Sequence, residues 1–207
     1  RTIVNTHTLA ISDGSGIASN YTLTNGTLTM TIVPRPTTVS GTKTYDGTTN
    51  VSSSNLTSFS NLAGSDTLSI SGTGTISSAD VGTGKSVNTS GITIDNSSGV
   101  GSNYTLSSAS VNVTKRVISL NGVRAFDGTN NASSTDLSIS NLVSGENLTL
   151  SGSGTVPNAT VEMNKAITLG SLSVSDGSGG ASSNYTLTGG SHTLDTVSYT
   201  HLRAHET

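Results

Sequence analysis

Cysteine and tryptophan are absent from this 207-residue chain, phenylalanine occurs twice, and charged residues make up only 10% of it. No disulfide framework can hold such a fold together, and the 3% aromatic content argues against one large core. The lack of cysteine leaves the redox compartment open, although it suits a long secreted chain that must avoid mispaired bridges. Nine basic residues against twelve acidic ones leave a net charge of −3 and no basic patch, so nucleic acid is not an expected partner. No run of about 18 apolar residues occurs, so no helical membrane span is expected. Catalytic side chains are scarce as well. Outside the last eleven residues the only histidines are His7 and His192, and neither falls in a repeated motif. No Ser-His-Asp arrangement or glycosidase acid pair emerges, and no catalytic, cofactor-binding or metal-ligating residue is assigned.

What is present is repetition. The segment Lys43-Thr44-Tyr45-Asp46-Gly47-Thr48-Thr49 returns as Arg124-Ala125-Phe126-Asp127-Gly128-Thr129-Asn130. Asn-Tyr-Thr-Leu occurs with its tyrosine at Tyr21, Tyr104 and Tyr185. The period of about 81 residues exceeds a solenoid unit and suits one small β domain. Ser and Thr make roughly a third of the chain, but low net charge and regularly spaced Val, Ile and Leu argue for thin cores rather than disorder.

Strand signals dominate. Residues 27–33, 110–114 and 171–175 alternate polar and apolar side chains, the period of a half-buried strand. Residues 67–71 and 147–151 occupy equivalent places in two copies. Gly, Asn, Asp and Ser between these runs supply turns. The best helical candidate, residues 77–81, is too short to be more than a turn. Pro34-Arg35-Pro36 reads as a stiff connector. The units expected are 1–33 (the end of one copy), 34–115 and 116–196. Residues 197–207 break the composition and read as a translated sequencing-adapter tail, so both ends are expected to be truncated. The pair His201 and His205 within that tail has helical spacing for a metal but no third ligand nearby.

Each motif has a structural meaning. A tyrosine at the start of a late strand can fold back and bond the preceding loop, the tyrosine corner of β-sandwiches, and this role is expected for Tyr21, Tyr104 and Tyr185. Stacking on a sugar is the functional alternative. Tyr45-Asp46-Gly47 and Phe126-Asp127-Gly128 read as turns in which Asp bonds the following backbone and Gly takes positive φ. The exchange of Tyr45 for Phe126 suggests an aromatic plug whose hydroxyl is dispensable. Asp13, Asp95 and Asp176 head Gly-rich loops, but a calcium site needs several convergent oxygens and each loop offers one carboxylate. Residues 79–86, ending Gly84-Lys85-Ser86, match a relaxed phosphate-loop pattern, yet no strand-to-helix context surrounds them. Asn-x-Ser/Thr triplets are abundant, as expected by chance in this composition.

Four motifs in order, Lys43-x-Tyr45-Asp46-Gly47-Thr48-Thr49, Ser71-Gly-Thr-Gly-Thr75, Asp80-Val-Gly-Thr-Gly-Lys85 and Gly101-Ser-Asn-Tyr104-Thr-Leu106, resemble the YDG domains of large bacterial secreted proteins of the filamentous haemagglutinin-like adhesin type. Residues 116–196 carry a degenerate version, with Arg124 for Lys43, Phe126 for Tyr45, and the glycines before Lys165 lost. The resemblance implies a repeated extracellular or cell-surface module without catalytic residues or cofactors, a monomeric segment whose host glycan or protein partners bind elsewhere. The expected fold is all-β: tandem immunoglobulin-like sandwiches, or alternatively β-grasp-like or irregular β-rich repeats. The expected function is a structural spacer. The rival is an array in which each repeat itself binds glycans or host proteins.

Overall fold

The computed structural model describes residues 12–21 and 31–198. The chain divides into two units at Val33/Pro34. In the first, a 3-10 turn at Ala18–Asn20 precedes Tyr21. The strand expected over residues 27–33 falls mostly outside the described residues, as do His7, His201, His205 and residues 199–207 of the tail.

The second unit contains two copies of one all-β design, with no α-helix among the described residues. In the first copy β1 (Arg35–Thr44), β3 (Leu56–Ser60), β5 (Gly82–Val87) and β7 (Tyr104–Thr114) form one sheet, in the order β3-β1-β7-β5. Strands β2 (Asn50–Ser52), β4 (Leu68–Thr75) and β6 (Ile92–Asn96) form the other, in the order β2-β4-β6. Odd strands thus lie in one sheet and even strands in the other, so no strand pairs with its immediate successor. This departs from the hairpin-linked Greek key of an immunoglobulin-like sandwich. The alternation buries one face of each sheet in a shared cluster. Val39, Leu56, Val87, Ala109, Val111 and Val113 enter it from the first sheet and Val51 from the second. Side chains such as Val51 (0% exposed) and Val111 (1%) each contribute about 1.5–3 kcal/mol by leaving water.

The second copy repeats this plan in smaller pieces. Its strands are β8 (Arg116–Val117), β9 (Ser119–Ala125), β10 (Asn131–Ser133), β11 (Leu137–Ser140), β12 (Leu148–Ser151), β13 (Ser153–Thr155), β14 (Glu162–Ala166), β15 (Ser173–Asp176), β16 (Tyr185–Thr186) and β17 (His192–Val197). The main sheet is β11-β9-β17-β14, with β10-β13 and β12-β15 opposite. Leu120, Ala132, Val156, Leu172 and Leu194 form its core.

In both copies the first and last strands are parallel neighbours. All ten residues of β1 pair with β7, with one bulge between Thr37 and Thr38 where Ser107 is the extra residue. The Ser107 hydroxyl donates to the Thr37 carbonyl across that bulge, at 2.9 Å. In the second copy the ladder is broken. Arg116–Val117 pairs with Tyr185–Thr186, and pairing resumes only at Leu120 with His192, so residues 187–191 are set against residues 118 and 119. The Gly189–Gly190 insertion makes this longer loop. The opposite asymmetry occurs on the other side of β1. Thr57 is an additional residue in β3 and is absorbed as a bulge, whereas β9 pairs with β11 in unbroken register.

Two sequence expectations change here. Pro34-Arg35-Pro36 is not a connector throughout, because Arg35 and Pro36 already belong to β1. Proline is tolerated there because it lies at the very start of the strand, where a missing N–H costs little. Val197, read as tail, ends β17 and pairs with Ala125.

Candidate functional site at the repeat junction

The Tyr-Asp-Gly turns are built around a buried cation. The Lys43 side chain is 4% exposed, and its ammonium donates to the Thr48 carbonyl (2.7 Å), the Thr48 hydroxyl (3.0 Å) and the Asn50 carbonyl (2.5 Å). It also pairs with Asp46 Oδ1 at 2.8 Å. Asp46 in turn accepts from the Thr48 amide and hydroxyl, both at 2.9 Å. Burial works against the charged Asp46, but the hydrogen bonds from Lys43 and Thr48 outweigh it and lower its pKa. Arg124 takes the lysine's place in the second copy. It donates to the Thr129 and Asn131 carbonyls and lies 3.4 Å from Asp127, whose own pKa is lowered first by the Thr129 amide. Gly47 and Gly128 hold φ of 76° and 78°, the left-handed conformation such a turn requires.

Tyrosines close the opposite end of each copy. The Tyr104 hydroxyl accepts from the Ala63 amide (3.1 Å) and donates to Asp66 (2.5 Å). The Tyr185 hydroxyl accepts from the Val143 amide (3.1 Å) and donates to Glu146 (2.6 Å). The acceptor carboxylate disfavours tyrosinate, so the pKa of Tyr104 is raised chiefly by Asp66 and that of Tyr185 by burial and then Glu146. Tyr21 differs. It is 67% exposed, and the described residues hold no counterpart of the loop that receives Tyr104 and Tyr185.

These two ends meet between the copies. One residue, Lys115, separates β7 from β8. Across that joint the Tyr45 hydroxyl donates to Glu146 Oε1 at 2.5 Å, while Tyr185 holds Oε2. The two rings pack edge to face, with centroids 5.4 Å apart and planes at 79°. Burial and the neighbouring Glu146 carboxylate raise the Tyr45 pKa far above the ordinary phenol range. Asn184, 1% exposed, accepts from the Val81 amide (2.9 Å) and donates to Asp80 (3.0 Å). Gly47 also faces the neighbour, since a Cβ there would lie 2.8 Å from Val143 Cγ1.

Tyr45 and Phe126 therefore do not play one plug role. Tyr45 is 5% exposed and uses its hydroxyl, whereas Phe126 is 53% exposed. Comparison of the turns alone hides this, because the partner of Tyr45 lies in the next repeat. Glu146 and Asn184 escaped sequence reasoning for the same reason. The available signal was the recurrence of an acid, Asp66 and Glu146, just after Leu62 and Leu142 in the two copies.

The remaining candidates have local partners. Lys85 of the relaxed phosphate loop lies on β5, antiparallel to β7, and its ammonium is engaged by the Ser78 and Asp80 carbonyls. Lys165 does the same with Asn158 and Thr160. Asp13 and Asp176 accept from the first amides of 3-10 turns, at Ala18 and Ser182, and Asn96 rather than Asp95 fills that place for Gly101. Among the described residues no group of three or more His, Cys, Asp or Glu could hold a metal. His192 Nδ1 accepts from the Leu120 amide (3.1 Å), so its Nε2 carries the proton and donates to the Leu187 carbonyl (2.8 Å). No helix among the described residues is long and apolar enough to cross a membrane.

The YDG domain family matches this chain twice, over residues 27–111 and 113–193. No curated protein and no solved structure shows significant similarity to it.

Proposed function

The chain belongs to the YDG-domain family, and from that premise we propose that its tandem copies form a load-bearing spacer of a bacterial cell-surface or secreted adhesin of the filamentous haemagglutinin-like type, with host glycans or proteins bound by other regions. The observation that carries this reading is the pairing of β1 with β7. A stalk is pulled through the two ends of each repeat. Here those ends enter and leave through parallel neighbouring strands, so tension loads the whole ladder in shear instead of opening it one bond at a time. The joint supports the same reading. A one-residue connection and the Tyr45–Glu146–Tyr185 contact oppose hinge motion between neighbours.

Nothing in this reading requires catalysis. The rival, a ligand-binding array, calls for aromatic side chains repeated on one exposed face. Among the described residues the exposed aromatics are Tyr21 and Phe126, which occupy different motif positions. Titration of the purified chain against glycan arrays and host-cell surfaces distinguishes the two. The spacer reading predicts no saturable binding at micromolar concentration, and saturable micromolar binding would overturn it.

A further inference from the structure

The face that the first copy buries in the joint is also present on the second copy, and there it is open. In the first copy Tyr45, Ala79 and Val81 pack against the shared cluster at the joint. Their counterparts by motif position are Phe126, Ala159 and Val161. Phe126 is 53% exposed and Val161 52%. Gly47 abuts Val143, whereas a Cβ on Gly128 would meet nothing within 4 Å. The backbone that presents this face is the same at both places. The Tyr45 amide donates to the Thr114 carbonyl at 2.9 Å, and the Phe126 amide donates to the Val197 carbonyl at 2.8 Å. Ser198 thus stands where Lys115 stands in the joint, one residue before the next copy begins.

We propose that Phe126 and Val161 form a docking face for a further copy of this repeat, received by that copy's tyrosine corner as Glu146, Asn184 and Tyr185 receive Tyr45 and Val81. The occupant is fixed by continuity with the internal joint. An apolar ring beside an Asp-Gly turn matches the receiving surface already seen, in which Leu142, Val143 and Leu187 line the apolar part. The exchange of tyrosine for phenylalanine sets the character of this joint. It keeps the ring contact and lacks the hydroxyl, so the incoming acid is held by one tyrosine, as Asp66 is by Tyr104. Such a joint is more readily opened than the internal one. The inference rests on the spacer reading only in taking the partner to be another repeat, and a positive ligand titration would leave it standing.

The test uses the full chain with a second copy of residues 116–198 spliced in after Ser198. The spliced copy carries Phe126→Tyr, so that its own ring gives no signal. Phe59 and Phe126 are the natural chain's two phenylalanines, so 4-fluorophenylalanine labelling gives two fluorine resonances. The one missing from the Phe126→Tyr variant of the natural chain belongs to position 126. In the extended chain that resonance is expected to move and to lose most of its H2O/D2O isotope shift. Val161→Asp in the first of the two copies should restore its exposed position. A second host, with residues 35–115 spliced at the same point and adding only a further Phe59 resonance, offers the Asp66–Tyr104 corner if the first host fails to fold. An unmoved, fully solvent-sensitive resonance in the folded extended chain overturns the proposal, as does burial that Val161→Asp leaves intact.

Discussion

The two copies share one plan but divide its strengths differently. The first has an unbroken terminal ladder, with one bulge between Thr37 and Thr38, and a Tyr-Asp-Gly turn covered by its neighbour. The second has a ladder interrupted over residues 187–191 and a turn that stands open. Its tyrosine corner, however, is the better furnished. Glu146 collects two hydroxyls where Asp66 collects one, because among the described residues only Glu146 faces the Tyr-Asp-Gly turn of another copy. The terminal ladder depends on backbone register, whereas the joint depends on the side chains of Tyr45, Glu146 and Tyr185.

The largest separation of the two corners should come from removing their acids. Glu146→Ala takes the acceptor from two tyrosines at once and should cost about 3 kcal/mol in urea unfolding of the chain. Asp66→Ala strands one hydroxyl, so its loss should be clearly smaller. Equal losses would mean that Tyr45 contributes nothing across the joint.

The turn glycines give the next contrast. Gly47→Ala and Gly128→Ala share the left-handed strain, about 1 kcal/mol. Only the former drives a methyl group toward Val143, which should raise its cost to about 2 kcal/mol by the same measurement. The hydroxyl exchange sharpens the comparison with the least disturbance. Tyr45→Phe should lose about 1 kcal/mol by leaving half of Glu146 unpaired. Phe126→Tyr in the natural chain should change stability by less than about 0.5 kcal/mol, since an exposed ring gains little from a hydroxyl.

Much of this was legible in the chain. Alternation at residues 110–114 marked the end of β7, and the Asn-Tyr-Thr-Leu recurrence marked a strand start, because both are local consequences of a period-two backbone. The connectivity was not, since nothing local says that consecutive strands enter opposite sheets. Pro36 misled because its φ suits a linker and the first residues of a strand equally. The joint was hidden by distance. Tyr45 and Glu146 lie 101 positions apart, and the reading of each repeat as a closed unit placed the aromatic ring in its own turn.

The central claim is that the terminal strands make each repeat resistant to tension along the chain, and single-molecule pulling of the full chain addresses it most directly. Handles at residues 34 and 198 load both ladders in shear. Handles at residues 35 and 60 instead peel β1 from its antiparallel neighbour β3, starting at the Thr38–Ser60 end. Shear loading should give two unfolding events, the weaker from the second copy, whose ladder is interrupted. Both should occur at forces well above the peeling event. Equal forces in the two geometries would contradict the claim, as would a first copy that yields before the second.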